Sequence, residues 1–215
     1  MKKKPLKIYS LLFDRFGPQH WWPGSSPFEV IIGAILTQSA NWSNVELAIA
    51  NLKRAKVLSP HSLYKIKTAK LQKLIRPSGY FRAKAKKVKA FVKYLVENYD
   101  GSLKKMFKKP IPELRAELLS IHGIGPETAD SIILYAANKP TFVVDAYTKR
   151  IGNRVGLFKS DKYYDIKDYF EANLPGKYQL YNEYHALIVA LGKYFCKPRP
   201  ACSECPVKKL CLSRI

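Results

Sequence analysis

The chain has 215 residues, with 38 Lys or Arg against 16 Asp or Glu, a net charge of +22. Its 47% hydrophobic content can build a core, which excludes disorder as the dominant state. The longest obvious apolar run, Val30 to Leu36, is far short of a membrane span, and the basic start Met1-Lys2-Lys3-Lys4 leads into no signal-peptide core. The expected setting is therefore soluble and cytoplasmic, nucleoid-associated in a prokaryote. A charge excess of this size repels itself unless an anionic partner screens it. Nucleic acid is the first candidate and an anionic membrane surface the second, with 13% aromatic content favouring bases that can be stacked.

Hydrophobic residues repeat at helical period almost throughout, which predicts an all-α chain. Ser26-Pro27-Phe28-Glu29 is a helix start: serine caps, proline suits the first position, and glutamate three residues on completes a capping box. That helix is expected to run to about Gln38. Further helices are predicted over 44–54, 61–66, 69–75, 82–98, 111–120, 126–137, 146–156, 162–173 and 178–194. Only Thr141 to Val144 looks strand-like. The breaks, such as Pro77-Ser78-Gly79 and Asn138-Lys139-Pro140, are short, which suggests two lobes rather than beads on a linker. The densest basic segment, Arg82, Lys84, Lys86, Lys87, Lys89 and Lys93, then Lys104, Lys105, Lys108 and Lys109, reads either as a solvated helix face or as phosphate contact.

Three motifs carry chemistry. The segment Leu119 to Ala129 joins two apolar helices through the tight turn Gly123-Ile124-Gly125, with Pro126 opening the second helix. Its glycines permit positive φ, and the unpaired N–H groups of the helix that follows could hold a phosphate without a lysine; an ordinary helix–helix turn is the alternative. All four cysteines lie in Cys196-x5-Cys202-x2-Cys205-x5-Cys211. Sulfurs gathered on one loop suit a metal centre of four thiolates better than a disulfide framework. All three tryptophans fall within residues 21 to 42, which reads either as an ordinary core cluster or, because Trp21-Trp22-Pro23 lies in a Pro/Gly-bounded loop outside any helical stripe, as a stacking site.

The hairpin, the downstream Val143-Val144-Asp145-Ala146-Tyr147-Thr148-Lys149-Arg150 and the cysteine loop together resemble the helix-hairpin-helix DNA glycosylases of the endonuclease III superfamily, from Ser26 to Cys211. The resemblance implies a six-helix barrel lobe over residues 22–138 and a second lobe of residues 1–21 plus 139–215. Double-stranded DNA with a damaged base would lie across the cleft of a monomer. It implies a [4Fe–4S] cluster on Cys196, Cys202, Cys205 and Cys211, with zinc the alternative, and DNA backbone contacts from Lys197 and Arg199. The first cysteine gap is five residues where the commonest family pattern has six.

The same resemblance makes Asp145 the carboxylate that stabilises the positive charge developing on the sugar and orients the attacking water; otherwise Asp145 would be read as a helix N-cap. Members that also nick the strand carry a lysine two residues after the second hairpin glycine. Glu127 stands there, so a monofunctional glycosylase is expected, unless an amine such as Lys193 substitutes. Gln38 is the expected plug for the vacated stack, with Ser39 and Asn41 as rivals and a capping or turn role for all three as the alternative, and Gly123 and Gly125 contact the backbone. Trp-Trp-Pro, Leu-Thr-Gln, the aromatic Trp42 and Glu-Thr-Ala-Asp in the hairpin resemble the 3-methyladenine branch, in which Trp21, Trp22, Pro23 and Trp42 would hold the base. A cationic alkylpurine gains about 0.5–2 kcal/mol from an aromatic cage. The alternatives are a mismatch uracil or thymine glycosylase, an oxidised-base glycosylase, and a non-catalytic DNA-binding protein.

Overall fold

The structure, a computed structural model, describes residues 3–213; the start of the basic Met1-Lys2-Lys3-Lys4 segment lies outside them. Every regular element among them is helical. The described residues form two compact units: the residues up to Trp21 together with those from Lys139 onward, and Trp22–Asn138.

In the first unit, α1 (Lys3–Phe16) lies along α12 (Tyr178–Tyr194), burying Ile8 and Leu12 while the Tyr184 hydroxyl donates to Pro5 O at 2.8 Å. The same α12 supports α10 (Ala146–Val155), and α11 (Tyr163–Asn173) completes the unit. The strand-like Thr141 to Val144 is buried but forms no strand. Instead of a ladder partner, Phe142 N–H donates to Glu171 Oε1 at 2.8 Å, and its ring stacks on Phe170 at 4.0 Å. A side-chain acceptor has replaced the neighbouring strand, which satisfies the buried amide equally well.

In the second unit, α2 (Pro27–Thr37) is buried from Phe28 to Leu36, as expected of a helix apolar on all sides. It contacts α3 (Trp42–Arg54), α6 (Phe81–Tyr99) and the segment after α9 (Pro126–Ser131). Ser26 caps it, its Oγ accepting from Glu29 N at 3.2 Å. The reciprocal bond falls one residue earlier than a capping box predicts: Glu29 accepts from Ser25 N and Ser25 Oγ, and pairs with Lys53 of α3 at 2.7 Å. Burial pushes the Glu29 carboxyl up, but the Lys53 and Ser25 hydrogen bonds outweigh it and hold it below the usual range. At the other end, Lys84 of α6, 2% exposed, donates to Leu36 O at 2.7 Å and Ser78 O at 2.6 Å. An ammonium supplied from 48 residues away thus satisfies a terminal carbonyl of α2.

Three readings are refined. Residues 3–16 and Leu103–Met106 (α7) form helices where periodicity gave none. The expected helix over 126–137 is α-helical only to Ser131 and then widens to a π-helix, Ile132–Ala136. The basic run is not one solvated face: Lys84 is buried, Lys87 bonds Gln38, Lys89 donates to Tyr64 O and Lys109 bonds Glu117.

Candidate active site and nucleic-acid interface

Asp145 follows the buried run Phe142-Val143-Val144 and is the N-cap of α10, extended at φ −108° and ψ −175°. Its Oδ1 accepts from Thr148 N at 2.7 Å and from Thr148 Oγ1 at 2.9 Å. Capping therefore occupies one oxygen only. The other, Oδ2, stands 3.6 Å from Nε2 of His185 on α12. The Asp145 side chain keeps 14% of its surface accessible, whereas that of His185 keeps 7%. Burial holds the imidazole below its ordinary range, with the Asp145 charge opposing that shift. The cap reading and the carboxylate reading are thus compatible, because they use different oxygens. Sequence reasoning missed His185; its only signal was a histidine within the apolar stretch Tyr184 to Leu191.

In the other unit, the Trp22 ring lies on α2 where Gly33 makes room: a Cβ there would stand 3.3 Å from the indole Nε1. Trp42, the first residue of α3, meets Trp22 edge-on at 5.3 Å and 86°. Tyr135, a buried residue of the π-helix, meets it at 5.3 Å and 52°. Trp22 and Trp42 are half-buried, and with Pro23, Gly33, Glu46 and Lys53 they line a pocket of about 220 Å³. Trp21 is also half-buried and Pro23 is exposed. No sequence pattern pointed to Tyr135, which stands more than 90 residues from both tryptophans in the chain.

After α2 the chain makes a tight turn closed by Ala40 N to Thr37 O at 3.0 Å, with exposed Ser39 at φ +52° at its tip. Exposed Asn41 follows as the N-cap of α3, without a side-chain capping bond. The Gln38 amide is tied back to the hairpin between α8 (Ile111–Ser120) and α9. Its Nε2 donates to Gly123 O at 3.1 Å and Thr128 Oγ1 at 2.9 Å, and its Oε1 accepts from Lys87. Of the two hairpin glycines only Gly123 uses positive φ, at +83°; Gly125 is exposed at φ −92°, with nothing within 4 Å of where a Cβ would stand. A bidentate pair from Arg115 to the buried Asp130, at 2.8 and 3.1 Å, braces the two hairpin helices. Glu127 is exposed on the first turn of α9.

The four cysteines line one cavity of about 400 Å³. Arg150 Nε donates to Cys196 O at 2.8 Å. Arg154 reaches Cys196 Sγ at 3.4 Å, Lys197 O at 2.7 Å and Pro198 O at 3.0 Å. Burial raises Cys205 above the ordinary thiol range; a backbone hydrogen bond at Val207 opposes the shift and the neighbouring thiols add to it. Among the described residues no three His, Cys, Asp or Glu side chains converge on a point where a single ion would sit. The thiols surround a space instead. Lys197 and Arg199 are exposed on the loop, and Lys193 is exposed near the end of α12.

The family described as "HhH-GPD superfamily base excision DNA repair protein" matches residues 32–175. A Methanocaldococcus jannaschii protein, named only provisionally as a DNA repair glycosylase, is 50% identical over 97% of this chain and 96% of its own. The crystal structure of the H. pylori 3-methyladenine DNA glycosylase bound to 1,N6-ethenoadenine superimposes with a TM-score of 0.78 at 27% identity, covering 88% of this chain and 97% of that one. An endonuclease III trapped as a covalent intermediate on DNA shares the fold at a TM-score of 0.84 and 23% identity, covering 99% of this chain and 96% of that one.

Proposed function

Because the chain belongs to the HhH-GPD superfamily of base excision DNA repair proteins, we propose that it hydrolyses the N-glycosidic bond of alkylated purines such as 3-methyladenine in DNA. That it is a DNA glycosylase follows from the family. The substrate class rests on one observation, the Trp22–Trp42–Tyr135 cluster and the pocket beside it. An N3- or N7-alkylated purine is cationic, and an electron-rich aromatic surface favours it over the neutral base by about 0.5–2 kcal/mol. Its glycosidic bond is already weakened, so the base can depart without a strong general acid. The likeness to the 3-methyladenine glycosylase supports the same reading.

In this mechanism the hairpin and its exposed Gly125 meet the phosphate backbone, and Gln38 leaves its bonds to Gly123, Thr128 and Lys87 to fill the space of the extruded base. Asp145 keeps Oδ1 on the cap and presents its remaining face to the sugar, where positive charge develops as the base leaves. Water is then the nucleophile, since Glu127 supplies no amine after the hairpin. Cys196, Cys202, Cys205 and Cys211 would hold a [4Fe–4S] cluster, for which four thiolates lining one cavity are a fitting donor set. When bound, it would fix the loop carrying Lys197 and Arg199 and add a redox-active centre. Methylated DNA tests the substrate class: release of 3-methyladenine or 7-methylguanine is expected, and failure to release either overturns it. Borohydride trapping tests the water mechanism, because efficient covalent capture would require an amine nucleophile.

A further inference from the structure

We infer that His185 is a positioning residue for Asp145, its Nε2–H holding Oδ2 so that the carboxylate faces the reacting sugar with its negative charge intact. This rests on the reading of Asp145 as the catalytic carboxylate. The Thr148 grip on Oδ1 fixes a single corner of the group and leaves it free to swing about its own side-chain bonds. A second fixed point defines the plane, and His185 is the group the fold provides. It stands 3.6 Å from Oδ2, a few tenths of an ångström beyond hydrogen-bond length.

The histidine is held firmly. It is 5% exposed on α12, beside Tyr184, whose hydroxyl is anchored to Pro5 O. Farther along the same helix, Gly192 lies directly under the Tyr147 ring, two residues past Asp145; a Cβ there would fall 2.1 Å from a ring carbon. The distance between α10 and α12 is thereby set by side-chain packing, and with it the approach of the imidazole to the carboxylate.

Neutrality of the ring is what makes the arrangement useful. An imidazolium would cancel the charge of Asp145 before the sugar could use it, whereas a neutral N–H donor orients the anion and leaves its charge in place. Burial, which depresses the imidazole against the pull of Asp145, favours that state. His185 exchanges no proton with the substrate in this scheme.

The experiment compares Asp145→Asn, His185→Met and His185→Gln with the wild-type chain, measuring single-turnover excision from methylated DNA, affinity for a duplex with an abasic analogue, and melting temperature. Asp145→Asn is expected to lose turnover while retaining DNA affinity. His185→Met, which removes the donor, is expected to lower the excision rate about 10- to 100-fold with DNA affinity unchanged, the scale of a small misplacement of a reacting group. His185→Gln, which keeps an N–H near the Nε2 position, should recover most of that loss. Should the methionine variant fail to fold, nitrogen NMR of the wild-type imidazole decides: the neutral Nε2–H tautomer is expected, and an Nδ1–H or doubly protonated ring overturns the inference. Equal rates in wild type and His185→Met, or equal impairment of the two His185 variants, overturn the positioning role alone. Normal turnover by Asp145→Asn overturns both that role and the catalytic reading beneath it.

Discussion

Replacing each hairpin glycine by alanine separates folding from DNA contact. At Gly123 the backbone has φ +83°, a region that costs a non-glycine residue about 1–2 kcal/mol. The new Cβ would also fall 2.3 Å from Lys87 Cγ and 2.7 Å from Cδ, so the stem must move and carry its ammonium off Gln38. A hydrogen bond to a charged group contributes about 1.5–3 kcal/mol, discounted here because Lys87 is only half-buried. Together these give Gly123→Ala a loss of roughly 2–4 kcal/mol, on the order of 10 °C in melting temperature for a chain of this size. Gly125→Ala meets open space at an ordinary φ of −92°. Its stability should stay within about 1 kcal/mol of wild type, any gain coming from the less flexible unfolded chain. Yet if DNA backbone approaches at Gly125, the added methyl should weaken binding of an abasic-analogue duplex. Thermal melting and fluorescence anisotropy on both variants test this pair. A Gly123→Ala variant that melts with wild type would refute the packing argument, and a Gly125→Ala variant that binds DNA normally would refute the contact.

Asp145→Ala and Asp145→Asn should both abolish excision, but only alanine removes the cap, so only it should lose about 0.5–2 kcal/mol in urea unfolding; equal stability would mean the cap contributes nothing. Burial, and then the Lys87 charge, lower the Lys84 ammonium to about 8 from 10.5. Between those values the unfolded chain holds a proton that the folded chain has released, so wild type should gain stability relative to Lys84→Met as pH rises from 8 towards 10.5, and the difference should be flat below 8. Urea midpoints at pH 7 and pH 10 check the sign. Cys205→Ser should remove visible absorbance from an otherwise coloured protein, whereas a colourless wild type with bound zinc would contradict the cluster.

Much of this protein is written in short-range chemistry. Serine, proline and glutamate at 26, 27 and 29 start a helix through bonds within one turn, and Asp145 caps another in the same way. The all-helical class follows from a period that any window reveals. The Gly123 turn is a local conformational demand, and the four cysteines are close in sequence before they are close in space. What only the tertiary structure decided joins residues far apart along the chain. Lys84 at the end of α2, Gln38 bound to Gly123 and Lys87, and His185 beside Asp145 all span 40 residues or more. None of these partners is legible in the sequence, since nothing local distinguishes a lysine that will be buried from one that will be solvated. Burial decides it: once apolar faces close, each polar group caught between them must find a partner there, and the identity of that partner depends on how the helices pack.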